Sequence, residues 1–96
     1  MAVYLVTWNI NKAGIVYTPA RDKFLSGFKG LDAIYAGGTL DTVVFVSTPL
    51  SISMLYNRLG KNLDKNDRLM VTQVFKNGYI GWLDQKVVNW LKSRLG

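Results

Sequence analysis

Apolar runs ordered strand, helix, strand, strand, helix, strand, with Thr-Pro pairs at Thr18-Pro19 and Thr48-Pro49 heading both helices, predict an α+β sandwich. That order is the split βαβ pattern, so the expected architecture is a ferredoxin-like βαββαβ sandwich with a short fifth strand and a C-terminal helix. At 96 residues and 49% hydrophobic, the chain has material for one modest core, and residues 1–96 are expected to form a single domain.

The first strand is the run Val3 to Ile10, where Val3, Leu5 and Thr7 alternate with Tyr4, Val6, Trp8 and Ile10. Neither set is polar, so both faces are expected to be covered. Thr18-Pro19 signals a helix start, and Ala20, Phe24, Phe28 and Leu31 mark its apolar stripe. Ala33 to Ala36 and Thr42 to Ser47 form a predicted hairpin across Gly37-Gly38 and Leu40-Asp41. Thr48-Pro49 then caps a second helix whose buried side carries Ile52, Leu55, Tyr56, Leu59 and Leu63.

The turn Asp64-Lys65-Asn66-Asp67 leads into a fourth strand, Arg68 to Phe75. Lys76-Asn77-Gly78 turns the chain into a short fifth strand, Tyr79-Ile80-Gly81-Trp82, and Asp84 caps a final helix with Val87, Val88, Leu91 and Leu95 on its stripe. With two helices on one sheet face, the other needs a cover, and Trp8, Val6, Met70 and Val74 are too apolar for a wet surface. The C-terminal extension or a second subunit must supply it. A homodimer with Trp8, Tyr79, Ile80 and Trp82 at its interface satisfies this, the fifth strand pairing across the twofold.

Composition narrows the chemistry. Twelve Lys and Arg against six acids give a net charge of +6, and the chain has neither Cys nor His. Disulfides, thiol nucleophiles, imidazole bases and the usual zinc sites are therefore excluded. All six acids are Asp: Asp64 and Asp67 suit a backbone-bonding turn, Asp84 a helix cap and Asp41 a hairpin turn, while Asp22 and Asp32 flank the first helix, Asp22 at its positive end. No paired-carboxylate site emerges. The N-terminus lacks the features of a signal peptide, and no run approaches the roughly 20 apolar residues of a spanning helix. A cytoplasmic protein without membrane association is expected.

The excess of cations points to phosphate. Lys12, Lys61, Lys65, Arg68 and Lys76 lie in or beside loops, with the amides Asn9, Asn11 and Asn77 near them. The bland alternative is a solubilising charge spread over the surface, since no single segment is densely basic. The loop from Asn9 to Tyr17 is long for a strand-to-helix connection and has no counterpart after the third strand. A loop at a strand's carboxyl end is a common place for a site.

The stretch Tyr4-Leu5-Val6-Thr7-Trp8-Asn9-Ile10-Asn11-Lys12-Ala13-Gly14 resembles the opening of short bacterial and phage proteins labelled SinR-like, Tyr-Leu-Val-Thr-Tyr-Asp-Leu-Asn-Lys-Pro-Gly. The likeness continues at Leu40-Asp41-Thr42, Leu63-Asp64-Lys65-Asn66-Asp67-Arg68-Leu69 and Gly81-Trp82-Leu83. Those proteins are similar to the small ferredoxin-like CRISPR adaptation endonuclease family and to related virulence-associated toxin and antitoxin proteins. The resemblance implies a homodimer acting on DNA or RNA, in some members with magnesium. It also implies that the family's metal-binding Asp, at the end of strand one, corresponds here to Asn9. An amide there lacks the charge that attracts Mg²⁺, so the resemblance implies binding with nuclease activity impaired. No cofactor is then expected, or Mg²⁺ if cleavage is retained. The competing reading is a protein-interaction module, such as a phage-encoded inhibitor of a host defence system or an antitoxin, working through an open sheet edge and exposed aromatics.

Overall fold

The computed structural model describes residues 1–96 and has the expected order of elements: β1 (Ala2–Asn9), α1 (Tyr17–Leu25), β2 (Asp32–Tyr35), β3 (Val43–Thr48), α2 (Ile52–Gly60), β4 (Arg68–Val74) and α3 (Gln85–Leu95). The strands form one antiparallel sheet in the order β2-β3-β1-β4. This is a small α+β domain with a ferredoxin-like arrangement. No helix is long and apolar enough to cross a membrane.

β1 is central, and its two apolar faces enter two separate cores. Tyr4, Val6, Trp8 and Ile10 pack with Phe24 of α1, Phe28 beyond it, Val44 and Val46 of β3, and Leu55 and Leu59 of α2. Val3 lies on the opposite face with Val43, Phe45 and Val74, beneath Val87 and Leu91 of α3. The C-terminal helix is thus the cover that the second face requires. Val6 and Trp8 belong to the helix side instead, because Tyr4, Val6 and Trp8 share one side of the pleat. Trp8 is 4% exposed, with Phe24 at 4.8 Å between ring centroids, so its assignment to a dimer interface is corrected. Met70 stays exposed, beyond the cover of α3.

The Thr-Pro pairs do not cap the helices. A 3-10 turn at Gly14–Val16 runs into α1, whose first residue is Tyr17, and Thr18 and Pro19 sit inside the first turn. Proline is tolerated there because the first backbone N–H groups of a helix have no partner within it. Thr48 ends β3, its hydroxyl accepting the Leu50 N–H at 3.2 Å; the cap of α2 is Ser51, whose Oγ accepts the Met54 N–H at 3.1 Å. α1 ends at Leu25, and Phe28 is carried on a 3-10 turn, Ser26–Phe28. Arg58 of α2 donates to the carbonyl oxygens of Gly27 and Lys29 there, at 2.9 and 2.7 Å. Gly27 permits this approach, since a Cβ would lie 3.1 Å from the Leu59 side chain.

The expected fifth strand is absent. Residues 79–83 have no regular structure, and no backbone hydrogen bond joins them to a strand. The turn closed by the Gly78 N–H on the Phe75 carbonyl oxygen, at 2.9 Å, leads instead into an exposed segment where Ile80 is 100% and Trp82 98% exposed. Beyond it, Asp84 stands at the N-cap of α3 without a side-chain bond; its carbonyl accepts the Val87 and Val88 N–H groups.

Candidate nucleic-acid interface

The carboxyl end of β1 and the α2–β4 turn meet at one end of the sheet, and Asp67 joins them. Its carboxylate accepts the Asn11 backbone N–H at 2.8 Å and the Asp64 backbone N–H at 3.0 Å. Asp64 in turn accepts the Asn66 N–H at 3.0 Å, so both acids brace the turn. Asp67 is buried, and these N–H groups, that of Asp64 foremost, hold its carboxyl below the usual carboxylate range against the opposing effect of burial.

Lys12 is drawn into the same brace. Its ammonium is hydrogen-bonded to Asp64 and lies 3.6 Å from Asp67. The bond to Asp64 raises the lysine's pKa and lowers that of Asp64. The lysine that the long loop offers for phosphate is therefore already shared between two carboxylates. Asn11 contributes its backbone to the brace and is otherwise exposed.

Lys61, Lys65 and Arg68 are exposed at this same end. Arg68 donates to the carbonyl oxygens of Lys65 and Asp67, at 3.3 and 2.9 Å, which fixes the turn without neutralising the guanidinium. No carboxylate pairs with Lys61, Lys65 or Arg68. Lys76 is separated from them: Arg68 pairs with Asn9 but Val74 pairs with Val3, so the residues after β4 emerge at the opposite end of the sheet. Lys23 was not among the sequence candidates. It follows Ala20 by three positions on α1, which brings both to a cleft of about 230 Å³ lined also by Ile10, Lys12, Lys61 and Asp64.

Asn9 is exposed and stands directly across from Arg68 in the β1–β4 ladder. The Asn9 amide brings no negative charge to a position where Mg²⁺ would draw on a carboxylate. Within the chain no three acidic side chains converge on a point where a metal ion would sit.

The remaining candidates, Tyr79, Ile80 and Trp82, are exposed along the segment after β4. β4 is itself an edge strand, and beside it a groove of about 400 Å³ runs between Val71 and the Ile52 and Tyr56 side chains of α2. Compared with known proteins, the chain matches no family model, no curated protein and no solved structure.

Proposed function

We propose that the chain is a nucleic-acid-binding homodimer of the kind its opening motif resembles, the small CRISPR adaptation endonuclease family, and that it binds without cutting. The observation that carries this reading is the grouping of Lys61, Lys65 and Arg68, none paired with a carboxylate, at one end of a domain of net charge +6. Dimerisation doubles that charge. It is supported by the open edge of β4 and by the fully exposed Ile80 and Trp82, which a second copy would cover. The uncharged amide of Asn9, in place of the family's carboxylate, argues against magnesium-dependent cleavage.

The test is the electrophoretic mobility of labelled single- and double-stranded DNA and RNA with the purified protein, at low and high salt, with and without Mg²⁺. Shifts that weaken steeply with salt, without cleavage, are expected. No shift with any nucleic acid overturns the reading. A protein-interaction module, such as an inhibitor of a defence system or an antitoxin, is the second reading, favoured by Ile80 and Trp82 alone. It predicts a stoichiometric complex with a protein partner that persists in high salt.

A further inference from the structure

The cleft beside the Asp67 brace gathers three lysines from separate parts of the chain: Lys12 from the loop after β1, Lys23 from α1 and Lys61 from the end of α2. Lys12 is committed to Asp64 and Asp67, while Lys23 and Lys61 have no carboxylate partner. Lys12, Lys23 and Lys61 against Asp64 and Asp67 leave the lining a net charge of +1, with Asp64 held by Lys12 and a backbone N–H and Asp67 by two backbone N–H groups. Lys23 and Lys61 are the unpaired cations of that lining, which also includes the apolar Ile10 and Leu63.

A net positive lining with two unpaired ammonium groups, around a cavity of about 230 Å³, favours the more highly charged of two phosphates. A phosphodiester in a strand carries one negative charge, whereas a phosphomonoester carries about two near neutral pH. The volume lies below that of a pocket for a drug-sized ligand, about 300 Å³ and upward, and suits a single phosphate with part of its sugar. From this geometry we infer that the cleft binds a terminal phosphomonoester, the phosphorylated end of a nucleic-acid strand, through Lys23 and Lys61. The inference rests on the proposed nucleic-acid binding and names which part of the ligand that cleft takes.

The absence of histidine and cysteine makes the inference testable by pH. No histidine or cysteine lines the cleft. The second ionisation of a phosphomonoester falls near pH 6. Between about pH 7.5 and 5.5 such a ligand changes charge.

The experiment is fluorescence anisotropy with one labelled oligonucleotide prepared in 5′-phosphorylated, 3′-phosphorylated and hydroxyl-ended forms, across that pH range at fixed salt. At least one phosphorylated form is expected to bind about tenfold or more tightly than the hydroxyl form. That preference should fade as pH falls through about 6 and be lost in Lys23→Ala and Lys61→Ala, while Lys92→Ala on α3 leaves it intact. Both cleft lysines are exposed, so neither change removes a core contact. Equal binding of all three ends overturns the inference and leaves nucleic-acid binding standing. Failure of every oligonucleotide to bind overturns both.

Discussion

The carboxylate of Asp67 accepts the backbone N–H of Asn11 at 2.8 Å, across 56 positions of sequence. One buried acid thereby fixes the exit of the central strand against the entry of the edge strand. Replacing Asp67 with Ala leaves the Asn11 and Asp64 N–H groups without their acceptor, and a loss of about 1–3 kcal/mol is expected in urea unfolding. Unchanged stability would mean that solvent satisfies both groups.

The same brace sets an acid limit. The folded-state pKa values of Asp67 and Asp64 are both lowered, so their contribution is present above the unfolded carboxylate value of about 3.9. It is lost as pH falls through the lower folded values. Midpoints of unfolding should hold steady from about pH 7 to 5 and drop below about 4, and Asp67→Asn should flatten that drop.

Trp8 carries weight in the core, where it contacts Phe24 and Phe28. Trp8→Ala is expected to cost about 3–5 kcal/mol while leaving the association state of the folded fraction unchanged. Selective loss of association without loss of stability would return Trp8 to an interface.

Association should depend on Ile80 and Trp82. Sedimentation at micromolar concentration is expected to give twice the 10.8 kDa of one chain, and the double change Ile80→Ser and Trp82→Ser is expected to give monomer with unaltered thermal stability. A wild-type protein that sediments as monomer contradicts the homodimer.

Asn9 offers a gain-of-function test. If its amide is what impairs cleavage, Asn9→Asp should produce cutting that requires Mg²⁺ and stops with a chelator. No cutting would show that Arg68 across the ladder, or another missing ligand, also prevents metal binding.

The fold was legible in the sequence because alternation and helical periodicity register burial, and burial is what separates the two cores around β1. Which face each side of β1 met was not legible. Two apolar sets look alike until the partners are known, so the sequence does not distinguish an interface position for Trp8 from the core where it packs with Phe24 and Leu55. Thr18 and Thr48 had the right chemistry for caps, but the 3-10 turn before α1 and the nearby Ser51 took that role. Tyr79 to Trp82 had a strand's composition without a strand edge in its own chain to bond. At the candidate site, the backbone role of Asp64 and Asp67 followed from local turn chemistry. The link from Asp67 to Asn11 and the capture of Lys12 did not, because they join segments far apart in sequence. Lys23 had no signal of its own beyond its place three positions after Ala20.

The most direct measurement is the salt dependence of oligonucleotide binding, wild type against the double change Lys61→Ala and Lys65→Ala. Each lysine that meets a phosphate contributes close to one unit to the slope of log affinity against log salt, so the double variant should lower its magnitude by about two. Lys12→Ala should lower it by less, because its charge is already shared with Asp64 and Asp67. An identical slope for wild type and the double variant would contradict the assignment of phosphate contact to this end of the fold.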